Sequence, residues 1–134
     1  MKPPAQGPLD KTLPTPDPSQ VQLIRSYGPG RFTIGEREWT SPVLVMPQRA
    51  VPWPVTRAED LTLDSLAPLQ AAAVPTELLV LGCGARSIFV PPALRATLKG
   101  AGLALEVVDT GSACRIFNVL LAEGRRVAAA LIPL

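Results

Sequence analysis

Leu78-Leu79-Val80-Leu81 runs apolar without a break and stops at Gly82-Cys83-Gly84. A helical pattern follows, and then a second run, Leu105-Glu106-Val107-Val108, stops at Asp109-Thr110-Gly111. An amphipathic segment over 112–123 leads to a third apolar run over 127–132. A strand buried on both faces reads as a continuous apolar run, and alternation of such runs with helices implies parallel strands joined by crossovers. Residues 78–131 therefore read β-α-β-α-β, which sets the class as α/β. In such sheets ligands gather outside the carboxyl ends of the strands. Gly82, Cys83, Gly84, Asp109 and Thr110 belong there.

The two helices carry their own punctuation. The first is expected to open at Pro91-Pro92, since proline is tolerated at the first helical position. Leu94, Leu98 and Ala101 would form its buried stripe, with Gly100 and Gly102 as the stop. In the second, Ala113, Ile116, Phe117, Leu120 and Leu121 follow i, i+3, i+4, i+7, i+8, a full core-facing stripe, and Gly124 ends it. Thr110 or Ser112 is the expected N-cap, with Asp109 favouring the helix dipole or pairing with an arginine. Cys114 and Asn118 share one flank, and Arg115 stands on the first turn.

Upstream, residues 1–20 are rich in proline, which fixes φ and removes backbone donors, and they read as a disordered tail. Residues 21–134 read as a single α/β domain. A strand over 22–26, a turn at Tyr27-Gly28-Pro29-Gly30, the alternating Arg31-Phe32-Thr33-Ile34, a turn at Gly35-Glu36 and a return over 37–39 make an antiparallel β unit. Its last strand, Val43-Leu44-Val45-Met46, is expected to enter the main sheet. Residues 48–61 read as a loop in which Trp53 covers an edge of the core. Residues 61–73 read as a helix, capped by Thr62 or Asp64, with Leu66, Leu69 and Ala73 facing inward.

Composition narrows the function. Of 134 residues, 47% are apolar and 18% charged, which describes a globular chain. The net charge is +2, with no basic block or stripe, so nucleic acid is not an expected partner. The chain has no histidine, which removes the usual catalytic triad and most catalytic zinc sites. Two cysteines, Cys83 and Cys114, make neither a disulfide framework nor a CxxC motif. No apolar run is long enough to span a membrane, and the first residues have neither a signal-peptide layout nor the arginines of a mitochondrial presequence. A cytoplasmic location in a bacterium is expected.

Three constellations are candidates for chemistry. Gly82-Cys83-Gly84 with Asp109 approaches a dinucleotide fingerprint, but Ser87 holds the third glycine position and the helix begins too late to face a pyrophosphate. Asp109, Thr110, Gly111 and Ser112 lead into a helix N-terminus beside Arg86 and Arg115, an arrangement suited to a small anion. Cys114, in a first helical turn next to Arg115, sits where a thiol pKa falls, with Cys83 close by if the strands are neighbours. No histidine is present to act as its base. No catalytic residue, cofactor or metal site is assigned on these patterns.

The segment Leu78–Gly84, the stretch from Asp109 through Cys114-Arg115-Ile116-Phe117-Asn118 to Ile132, and the earlier Tyr27-Gly28-Pro29-Gly30-Arg31-Phe32 with Pro42-Val43-Leu44-Val45-Met46-Pro47 resemble a family of uncharacterised bacterial and archaeal proteins. That family also contains the mitochondrial respiratory complex I assembly factor 3. The resemblance covers about residues 21–134. It implies a three-layer α/β fold with a central mixed sheet. It further implies a role as an assembly or interaction factor, with complex I peripheral-arm subunits as partners, and no catalytic residue.

Two readings follow. The first is a non-enzymatic interaction protein whose surface includes the strand-end cleft, Trp53 and Arg31. The second is a small-molecule or anion-binding protein, or an enzyme of unknown reaction. Its pocket is formed by Gly82, Cys83, Gly84, Arg86, Asp109, Thr110, Cys114, Arg115 and Asn118. A deep pocket where Asp109 and an arginine converge favours the second; a filled strand end beside exposed apolar surface favours the first.

Overall fold

Double-sided burial of the central strands sets the architecture. The computed structural model describes residues 22–134; the proline-rich stretch 1–20, expected to be a tail, lies outside the described residues. Strands β1 (Ile24–Gly28), β2 (Arg31–Ile34) and β3 (Arg37–Trp39) form an antiparallel three-stranded sheet. Strands β4 (Val43–Met46), β5 (Arg49–Pro52), β6 (Leu78–Gly82), β7 (Ala104–Val108) and β8 (Val127–Leu131) form a five-stranded sheet in the order β5-β4-β8-β6-β7. β6 pairs in parallel with β7 and β8, whereas β4 pairs antiparallel with β5 and β8. The central sheet is therefore mixed, as the family resemblance implied.

Alternate residues of each central strand enter opposite cores, as the pleat requires. Leu44, Leu79, Leu81, Ala128 and Ala130 face one core. Val43, Val45, Val80, Val127 and Leu131 face the other. Each fully buried Val or Leu contributes roughly 1.5–3 kcal/mol, so strands that bury both faces are the ones the fold is anchored on. The first core is covered by helix α2 (Pro92–Gly100) and by the segment that runs through Trp53, Leu61 and Leu66. The second is covered by helix α3 (Thr110–Ala122) together with Phe32, Ile34 and Trp39 of the three-stranded sheet. The result is three layers.

Three expectations are corrected. Residues 49–52, read as loop, form β5. Met46 pairs with Arg49, so Pro47-Gln48 is a two-residue hairpin connection. The helix expected over 61–73 is reduced to a 3-10 turn at Asp64–Leu66 and the single turn α1 (Ala67–Gln70). Pro68 has no N–H to continue a ladder from upstream, and Pro75 disfavours helical backbone at Val74, so little room is left for propagation. The N-cap of the 3-10 turn is Leu63, one residue after Thr62, whose Oγ1 accepts from Ser65 N at 3.2 Å while Ser65 Oγ accepts from Thr62 N at 3.2 Å. In α2, Leu98 is buried and Leu94 half-buried, but Ala101 is exposed, because α2 ends at Gly100 and the chain has turned away.

Candidate functional site

Gly82, Thr110 and the end of β8 interlock at the carboxyl end of the parallel strands. A Cβ on Gly82 would stand 3.0 Å from Ala113 Cβ, 3.0 Å from Leu131 Cδ2 and 3.1 Å from the Thr110 Cα. The missing side chain is what lets the first turn of α3 rest on the sheet. Thr110 is fully buried. Its Oγ1 accepts from Gly84 N at 2.7 Å and donates to Ile132 O at 2.7 Å, while its own N–H donates to Gly84 O at 2.9 Å. One side chain thus ties the β6 exit, the start of α3 and the end of β8. Gly84, at φ +94, makes the turn that presents its N–H to Thr110.

Asp109, not Thr110 or Ser112, is the N-cap of α3. Its Oδ1 accepts from Ser112 N at 2.9 Å and its Oδ2 from Ser112 Oγ at 2.8 Å. These hydrogen bonds to Ser112, backbone first and then side chain, hold the Asp109 carboxyl below its ordinary value. A carboxylate with both oxygens held this way is a weak base and has a structural role. Arg115 continues the chain of contacts: Nη2 donates to Ser112 Oγ at 3.3 Å and Nη1 to Tyr27 Oη at 2.8 Å. Tyr27 packs so tightly on Gly111 that an added Cβ would meet its Oη at 2.9 Å. Tyr27 was read only as a turn residue. A glycine at the second position of an otherwise strong helix was the signal that something approaches there.

The remaining candidates disperse. Asn118 points back to β1, accepting from Ile24 N at 3.0 Å and donating to Ile24 O at 2.8 Å. Its amide thus stands in for a neighbouring strand. Cys114 is 1% exposed in the core beneath α3, and burial pushes its thiol up to about 12 against the opposing pull of Arg115. The depressed, reactive thiol expected of a first helical turn is therefore not what forms. Cys83 is half-buried against the other core, and burial raises its thiol as well. The two cysteines serve opposite faces of the sheet and remain free thiols. Arg86 is exposed and makes no ion pair with a described residue. Trp53 is 3% exposed, with Nε1 donating to Ser65 O at 3.1 Å, so it belongs to the core and not to a binding surface. Arg31 is exposed, its guanidinium lying along Gly28.

The strand end is thus filled and internally satisfied. Beside it, the loop from Gly84 toward α2 carries Phe89, which is 80% exposed. Ile88, its neighbour, packs inward on the first core. Phe89 was not singled out from the sequence, because an isolated aromatic in an irregular stretch gives no periodic signal. Among the described residues no helix is long and apolar enough to cross a membrane.

Sequence and fold together place this chain in a family. It belongs to the family described as protein of unknown function DUF498/DUF598, which matches residues 24–132. An uncharacterised protein of Rhodobacter capsulatus is 40% identical over 111 residues, covering 83% of this chain and 84% of that protein. NADH dehydrogenase (ubiquinone) 1 alpha subcomplex assembly factor 3 of Danio rerio is 39% identical over 111 residues, covering 83% of this chain and 64% of that protein. The Homo sapiens protein of the same name is 34% identical over 115 residues, covering 86% and 62%. The chain therefore spans a little under two thirds of these animal relatives. A Bordetella parapertussis protein of known crystal structure superposes with a TM-score of 0.77 at 32% identity, covering 85% of this chain and 97% of that one. A Bordetella pertussis protein described as a Mth938-like domain gives 0.73 at 27% identity, covering 92% of each chain. The resemblance read from the sequence is to this family, and the chain is similar to complex I assembly factors.

Proposed function

We propose that this protein is a non-enzymatic binding factor in the assembly of a respiratory NADH dehydrogenase, the role its relatives are named for, and that its own partners are subunits of the peripheral arm. The observation that carries the reading is Phe89, 80% exposed beside a strand end whose polar groups are already engaged with one another. Covering a large exposed aromatic with a partner removes apolar area from water, and aromatics are enriched among residues that dominate interface energies. Arg86 on the same loop supplies the basic rim of such a surface. A catalytic reading loses support at Asp109, the one acid or base assigned to the pocket, because both of its oxygens are committed to the helix cap.

The test is affinity capture from the source cell's extract, comparing the native chain with Phe89→Asp. Peripheral-arm subunits of NADH dehydrogenase should be enriched by the native chain and lost with the variant, while the variant's thermal unfolding stays unchanged. Equal enrichment with both would remove Phe89 from the interface. No enrichment of those subunits with either would remove the assembly role.

A further inference from the structure

At the opposite end of the strands, where β6 and β8 begin, the chain forms a half-open cavity of about 550 Å³. This is within the usual range for small-molecule sites. Its lining is largely apolar: Leu121, Ala72 and Val74 offer surface, with Met46 and Val127 buried beneath them. Val74 is 63% exposed and so leaves apolar surface at the cavity. Among the described residues, three arginines line the cavity and no Asp or Glu does. Arg126 is already held by Glu77. Arg49, from β5, and Arg125, from the turn after α3, make no ion pair with a described residue.

Arg125 is placed there by the way α3 ends. Gly124 takes φ +78, its N–H donates to Leu121 O at 3.0 Å, and Arg125 N donates to Leu120 O at 3.0 Å. This paired closure satisfies the last carbonyls and turns the next residue across the helix end. The helix dipole puts roughly half a negative charge at this end, which disfavours an anion, but two guanidinium groups carry four times that charge in the opposite sense. The other polar side chains of the lining are Gln48 and Thr76. That is too few donors for a polyphosphate, whose recognition uses a nest of backbone N–H groups as well.

We infer that this cavity is a binding site for an apolar monocarboxylate. Its carboxylate is taken by Arg49 and Arg125, and its hydrocarbon body lies along Leu121, Ala72 and Val74. Guanidinium groups match carboxylate geometry with paired hydrogen bonds, and the ligand supplies the counter-charge that the lining lacks. The site is separate from the strand end that bears Phe89 and does not depend on the protein-binding role.

Titration of the isotope-labelled protein with decanoate, followed by amide chemical shifts, tests this. Saturable binding should move the resonances of Val74, Leu121 and Arg125. Decanamide, which keeps the chain and removes the charge, should bind about tenfold more weakly. The double substitution Arg49→Gln with Arg125→Gln should weaken decanoate by about tenfold or more and bring it level with decanamide. Ala72→Trp, which fills the cavity, should abolish binding of both, with circular dichroism showing that the fold is kept. Equal affinity for decanoate and decanamide in the native chain, shifts confined to other surfaces, or no saturable binding would each overturn the assignment.

Discussion

Asp109 illustrates how a residue of catalytic type is used up by local structure. Its carboxylate caps α3 through Ser112. Because the folded-state pKa lies below the ordinary 3.8, the stabilisation is complete above that value and is lost as pH falls through the depressed one. Asp109→Ala should therefore lower stability at neutral pH by about 1 kcal/mol. Asp109→Asn should keep most of the cap but flatten the acid limb of the stability profile, which urea titrations at several pH values will read. Cys114 behaves in the opposite sense. Its pKa is raised from 9.0 to about 12, so its contribution is present below 9.0 and is lost as pH climbs from there toward 12. In the native protein at mildly alkaline pH, mass spectrometry after alkylation should find Cys83 modified well before Cys114. Early modification of Cys114 would show that the core beneath α3 opens readily.

At the scale of elements, α3 is the part to which both sheets are fastened. Its buried stripe was readable from spacing, and Ala113 and Phe117 are buried where Ile116, Leu120 and Leu121 are half-buried. Its attachment to β1 was not readable, because Asn118 and Ile24 lie 94 residues apart in the chain. The two hydrogen bonds of the Asn118 amide, with that from Arg115 to Tyr27, make the polar bridge from α3 to the edge of the three-stranded sheet. Asn118→Ala should lower stability by roughly 1–3 kcal/mol, since it leaves part-buried backbone groups of Ile24 without partners. Hydrogen exchange should accelerate at Ile24 more than in β6. Uniform acceleration across the molecule would mean that β1 has no independent opening.

At the scale of the whole molecule, the two ends of the five-stranded sheet are distinct. The carboxyl end of the parallel strands is closed by Thr110 and Gly82 and carries exposed Phe89; the amino end is open and basic at Arg49 and Arg125. At the carboxyl end, where ligands gather in parallel sheets, the helix that follows β7 packs its first turn directly onto a glycine of β6. Substitutions at the two ends should therefore act independently. Phe89→Asp should leave decanoate affinity unchanged, and the Arg49, Arg125 double variant should leave partner capture unchanged. Coupling between them, seen in a double-mutant comparison, would mean that the central sheet links the two surfaces.

The amino-acid sequence alone determined the β-α-β-α-β order, the stripe of α3, the antiparallel unit before it and the family to which the chain belongs. These depend on periodicity, on glycine and proline punctuation, and on contiguous motifs, all local properties of the chain. Tertiary structure decided which polar groups remained available. Asp109 was taken by Ser112, Thr110 by Gly84 and Ile132, Asn118 by Ile24, and Arg115 by Tyr27. It also decided that Arg49 and Arg125, 76 positions apart by their numbers, would both line one cavity. Hydrogen-bond satisfaction and concavity arise only when distant segments pack, so no window along the chain records them.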